Sequence, residues 1–121
     1  MGVRKVAESK NDAEVTVPSV AYPSVQVLAN TWSEECARLM GASIADDCIS
    51  LGVDVLLGPG VNIKRSPFCG RNFELFSEDP YLAGILARAY ISAMQEGVSG
   101  HVSSIFVPTI SNLTERTSPA T

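Results

Sequence analysis

The sequence has little with which to bind a metal, a membrane or a nucleic acid. Its three cysteines, Cys36, Cys48 and Cys69, are odd in number and fit no metal-knuckle spacing, so no metal site is expected. Cys36 and Cys48 fall in one helical pattern and read as small buried residues. A reducing compartment, and so the cytoplasm, is the default expectation. No apolar run approaches the roughly 20 residues of a membrane span. Lys and Arg number 9 against 13 Asp and Glu, a formal net charge of −4. That balance argues against nucleic acid or an anionic membrane as partner. Residues 1–11 are polar and hold no signal-peptide core, and there is no repeat or low-complexity linker.

What is present is ordinary globular composition, 45% hydrophobic over 121 residues. That length supports one core but is about half of the roughly 250 residues a (β/α)8 barrel needs. Pro18 and Pro23 mark residues 17–24 as an extended stretch or turn. Ser33 reads as the N-cap of a helix over 33–50, with Glu34 and Glu35 where the positive end of the helix dipole favours acids. Cys36, Met40, Ile44 and Cys48 recur along it every four residues, beside Ala37 and Ile49, and Gly52 lies just past its end. Residues 53–57, Val-Asp-Val-Leu-Leu, suit a buried parallel strand.

A long loop, 58–79, follows. Asp79-Pro80 then opens a second helix, with Asp as N-cap and Pro at its first position. Its Leu82, Ile85, Leu86, Ala89, Tyr90, Ala93 and Met94 carry the strongest periodicity in the chain, and Gly97 ends it. A further strand is expected beyond. This order predicts an α/β fold with parallel strands, in which function belongs on loops beyond the strand C-termini. The loop 58–79 holds that place, and its length is itself a functional signal.

The loop and the start of the next helix read Gly58-Pro59-Gly60-Val61-Asn62-Ile63-Lys64-Arg65-Ser66-Pro67-Phe68-Cys69-Gly70-Arg71-Asn72-Phe73-Glu74-Leu75-Phe76-Ser77-Glu78-Asp79-Pro80-Tyr81-Leu82. This run closely resembles the N-terminal barrel domain of glycoside hydrolase family 3, in its β-glucosidase branch. Gly2-Val3-Arg4-Lys5, Tyr22-Pro23 and Ala29-Asn30-Thr31-Trp32 resemble neighbouring blocks of the same family. The resemblance covers residues 2–98 and implies a partial TIM-type (β/α)8 barrel, roughly half of the barrel domain. It implies a retaining enzyme that removes terminal β-D-glucosyl residues from a β-glucoside or oligosaccharide, with no cofactor.

Within the motif, Arg71 matches the arginine that hydrogen-bonds the hydroxyls of the sugar being cleaved. A guanidinium offers a rigid fork of donors suited to adjacent hydroxyls. The competing reading is an arginine held by Glu74 or Glu78. Lys64, Arg65 and Glu74 are expected to support the loop. Glu78 and Asp79 stand at a helix start, where acids serve capping. Trp32 and Phe73 are expected to pack rather than to form a sugar platform. Gly58-Pro59-Gly60 lacks the spacing of a dinucleotide-binding loop, which leaves a nucleotide-binding domain without support.

The resemblance also implies what this chain lacks. The family's aspartate nucleophile and its acid/base glutamate belong to other segments, so no catalytic residue is assigned here and the chain alone is expected to be inactive. The family's Asp-Gly-Pro segment precedes the first matching residue, so the natural N-terminus is expected to be missing. After Gly97 the family expects a strand ending in Lys-His-Phe, but residues 103–112 read Ser-Ser-Ile-Phe-Val-Pro-Thr-Ile-Ser-Asn. Written as TCA AGC ATT TTT GTG CCA ACA ATC AGC AAC and read from the third base, they give Lys-His-Phe-Cys-Ala-Asn-Asn-Gln-Gln. Residues 1–98 are therefore expected to be barrel fragment and 99–121 a frameshifted tail with weak structure. Sequencing the DNA tests this, since other codons there exclude the slip. On that reading His101 is not the substrate histidine, and the glycosylation-like Asn112-Leu113-Thr114 has no meaning. A non-catalytic sugar-binding remnant, or pseudoenzyme, is the alternative.

Overall fold

The computed structural model describes residues 20–96 and the strand at 103–105. Its elements run α1 (Val25–Ala29), α2 (Glu34–Leu51), β1 (Val55–Leu57), a 3-10 turn (Asn72–Glu74), α3 (Pro80–Glu96) and β2 (Ser103–Ile105). β1 and β2 pair in parallel, with Val55 opposite Ser103, Leu56 opposite Ser104 and Leu57 opposite Ile105. A parallel pair needs a crossover connection, and here α3 lies in it, giving a β-α-β unit. Among the described residues the sheet has these two strands only. β2 lies in the tail expected to have weak structure. The remainder of 99–121, with His101 and Asn112, lies outside the described residues, as does Gly97.

The capping residues act as their chemistry dictates. Ser33 Oγ accepts a hydrogen bond from the Cys36 amide at 3.2 Å, and Gly52 closes α2 in the left-handed conformation (φ 66°). Asp79 Oδ1 accepts from the Tyr81 amide at 3.0 Å, with Pro80 as the first residue of α3. Residues 20–24 carry no regular structure. α1 was not foreseen: it is one short turn whose cap, Ser24 Oγ, accepts from the Val27 amide at 3.4 Å.

The core lies between α2 and α3, joined by Val25 and Leu28 of α1 and by Phe76 from the loop. No polar or charged residue is buried among the described residues. α2 buries Ala37, Met40, Gly41, Ile44, Ala45 and Cys48. Cys36, expected to be buried, is exposed, and Ile49 is 43% exposed. The reason is geometric. A four-residue repeat drifts by about 40° per step on a helix of 3.6 residues per turn, so Cys36 and Cys48 cannot share one stripe. In α3, Leu86, Ala89, Tyr90, Ala93 and Met94 are buried as the periodicity predicts, and Leu82 and Ile85 are half-buried. Gly41 lets the helices touch: a Cβ there would lie 2.2 Å from the Tyr90 carbonyl oxygen.

β1 departs from the expected buried strand. Leu56 packs against the core, but Val55 and Leu57 are 47% and 70% exposed. Side chains alternate across a strand, so one face meets the helices and the other points away from them. No described element covers that second face.

Candidate functional site

The loop 58–79 leaves the C-terminal end of β1 and returns to α3. It is long yet held at several points. Gly60 and Leu75 form an isolated parallel bridge that draws its two limbs together. The Lys64 amide donates to the Ser77 carbonyl at 3.4 Å, and Asn72 Nδ2 donates to the Ser66 carbonyl at 2.8 Å. Cys69, Leu75 and Phe76 are buried, and Phe76 joins the core and anchors the loop to the body. Between Cys69 and Leu75 the backbone tightens into the 3-10 turn, with the Asn72 amide on the Cys69 carbonyl (3.2 Å) and the Glu74 amide on the Arg71 carbonyl (3.0 Å).

Arg71 is placed at the start of that turn, which brings Glu74 beneath it at i+3. Arg71 Nε donates to Glu74 Oε2 at 2.8 Å, and Nη2 donates to the same oxygen. The carboxylate raises the guanidinium pKa further above its ordinary value, first by hydrogen bonding and then by charge. The Arg71 side chain nevertheless stays 54% exposed while Glu74 is 24% exposed. Of the two sequence readings of Arg71, the tie to Glu74 is formed, and the side chain stays more than half exposed beside it.

Lys64 is half-buried, and its Nζ donates to the Phe76 carbonyl at 3.3 Å. Burial lowers its pKa, partly offset by Glu78. Arg65 is exposed and forms no ion pair with another described residue. Glu78 is exposed, and Asp79 is occupied with capping α3.

Two aromatic residues differ from expectation, and a third is exposed beside them. Trp32 is 74% exposed and Phe73 57%, although both were expected to pack, and Phe68 is 90% exposed at the turn before Arg71. Trp32 also has φ 54°, a left-handed conformation unusual for so bulky a residue. Sequence patterning could not find this exposure, because it depends on which elements lie opposite. It also gave no sign of the tight approach at Gly60, where a Cβ would lie 2.7 Å from the Glu74 carbonyl oxygen. No group of three or more His, Cys, Asp or Glu able to hold a metal occurs among the described residues.

Comparison with known proteins agrees with the family resemblance of the sequence. Residues 13–107 match the family described as "Glycosyl hydrolase family 3 N terminal domain". The chain is 47% identical over 96 residues to thermostable beta-glucosidase B of Acetivibrio thermocellus, covering 78% of this chain and 13% of that protein. It is 42% identical over 97 residues to an exo-alpha-(1->6)-L-arabinopyranosidase of Bifidobacterium longum, again covering 78% and 13%. Among solved structures it is similar to beta-glucosidase 3B from Thermotoga neapolitana in complex with glucose. The TM-score there is 0.77 and the identity 39%, over 88% of this chain and 14% of that one. The chain thus spans roughly an eighth of the length of these relatives. With most of its residues inside the matched region, the chain belongs to glycosyl hydrolase family 3 and represents part of its N-terminal domain.

Proposed function

We propose that this chain is a fragment of a retaining β-glucosidase-type hydrolase and supplies part of the subsite for the sugar that is cleaved. The observation that carries the reading is the half-free guanidinium of Arg71, held by Glu74 on a loop at the C-terminal end of a parallel strand. In parallel (β/α) folds that end of the sheet carries the site. The β-α-β unit is then one segment of a (β/α)8 barrel. The bare Val55 and Leu57 face is the side that the other strands of such a barrel would cover.

Arg71 would donate to adjacent sugar hydroxyls. Lys64 and Asn72 brace the loop through the Phe76 and Ser66 carbonyls. Retaining hydrolysis needs two carboxyl groups about 5–5.5 Å apart, one as nucleophile and one as acid/base. Glu74 is spent on Arg71 and Asp79 on the α3 cap, so neither is free for that work. By the family resemblance the nucleophile and the acid/base belong to other segments, so the chain would bind part of a substrate without turning it over by itself.

The relatives include a β-glucosidase and an arabinopyranosidase at 47% and 42% identity over nearly the same stretch. The test is a long incubation of the purified full chain with an aryl β-D-glucoside and, separately, an aryl α-L-arabinopyranoside. No release above buffer is expected with either. Release proportional to protein, with one turnover or more per chain, would show that the chain holds a complete catalytic site and would end the fragment reading.

A further inference from the structure

We propose that Gly60 and Glu74 form a positioning device for Arg71, in which the missing side chain of Gly60 sets where the arginine fork points. The inference rests on the reading of Arg71 as a sugar contact and adds residues that act through it. Gly60 bridges Leu75 in parallel register, which places the two limbs of the loop side by side. The approach leaves no room for a methyl group. A Cβ on Gly60 would lie 2.7 Å from the Glu74 carbonyl oxygen and 3.1 Å from Leu75 Cδ2. Leu75 is buried, so it cannot give way freely. Any side chain at position 60 must therefore push the Glu74 backbone outward. By contrast, Gly58 and Gly70 in the same loop face open space.

Glu74 transmits that placement. Its amide closes the 3-10 turn on the Arg71 carbonyl at 3.0 Å, and its carboxylate takes Arg71 Nε–H at 2.8 Å and one Nη2 proton. Two of the five guanidinium donors are used in this way. The Nη1 pair and the second Nη2 proton are left to a ligand. An exposed ion pair of this kind adds little to stability, so its value lies in orientation. An arginine with its rotamer already fixed loses less freedom when it meets a sugar.

The experiment uses the full chain labelled with nitrogen-15 and follows the Arg71 Nε–Hε cross-peak, assigned by its loss in Arg71→Lys. In the parent chain the peak is expected away from the position of free arginine and in slow exchange with water. Glu74→Gln, which keeps the shape of the side chain, and Gly60→Ala should each move it to the free position. Gly70→Ala should leave it in place, and so should the signals of Tyr90 and Met94 in all variants. A peak that stays at its parent position in either Glu74→Gln or Gly60→Ala overturns the proposal. Titration with D-glucose reports separately on the sugar contact. A shift in the parent that is weakened in Glu74→Gln supports both readings. A fixed peak that ignores glucose, yet moves in both variants, refutes sugar contact by this chain and upholds the positioning role.

Discussion

Gly41→Ala should break the helix pair on which the site is mounted. α2 and α3 meet where a Cβ on Gly41 would lie 2.2 Å from the Tyr90 carbonyl oxygen, 3.0 Å from its carbon and 3.2 Å from its Cα. Cβ contacts under 3.0 Å essentially never occur, so the helices must part by about 0.8 Å before the methyl is tolerated. The obstacle is backbone and cannot rotate away. Parting the helices loosens Met40, Ile44 and Cys48 against Leu86, Tyr90 and Met94, all in the buried cluster. Overpacking of this kind costs up to about 3 kcal/mol, and the gain in helix propensity from Gly to Ala returns about 1 kcal/mol. A net loss of about 2 kcal/mol is expected. Gly84→Ala is the control: it lies exposed in α3 with nothing within 4 Å of a new Cβ, so only the propensity gain of about 0.5–1 kcal/mol remains. Urea unfolding followed by helical circular dichroism reads both. A Gly41→Ala midpoint equal to or above that of the parent chain refutes the packing argument, and so does a Gly84→Ala midpoint below the parent's.

Two further outcomes follow from burial. Tyr90 is buried, and desolvation, with smaller effects from Cys48 and Tyr22, raises its pKa above the ordinary 10.0. The folded chain therefore keeps the phenol neutral where the unfolded chain ionises it, so this stability is fully present below about pH 10 and is lost as pH rises beyond it. The urea midpoint should fall more between pH 8 and pH 11 in the parent chain than in Tyr90→Phe, and equal falls would contradict this. Separately, the exposed Val55 and Leu57 face should drive self-association of the isolated chain. Leu57→Lys should lower the apparent mass by light scattering at equal concentration, and an unchanged mass would show that the face is not the contact.

The helices were legible because their ends carry chemistry that acts locally. Ser33 and Gly52 bound α2, and Asp79-Pro80 opens α3, whatever lies around them. α1 was not legible: Val25-Gln26-Val27-Leu28-Ala29 is too short and too rich in β-branched residues to announce a helix, and it is held by the Ser24 cap and by packing of Val25 and Leu28. Cys36 was misplaced by treating a four-residue repeat as one stripe. The exposure of Val55, Leu57 and Trp32 was beyond the sequence because burial is set by distant elements. In the site, the motif pointed to Arg71, and its tie to Glu74 stood among the alternatives. The contact that fixes the loop, Gly60 against Glu74, arises only when two limbs fourteen residues apart come together.

The most direct measurement of the central claim places this chain's sequence in a complete enzyme. The stretch of Acetivibrio thermocellus beta-glucosidase B that aligns with this chain would be replaced by the corresponding residues here, which are 47% identical over 96 positions. The chimera should hydrolyse an aryl β-D-glucoside. Arg71→Ala within it should lower kcat/KM by about 10–100-fold, as expected for loss of charged hydrogen bonds to substrate, with the thermal midpoint unchanged. A folded, active chimera whose kcat/KM is indifferent to Arg71→Ala would contradict the account.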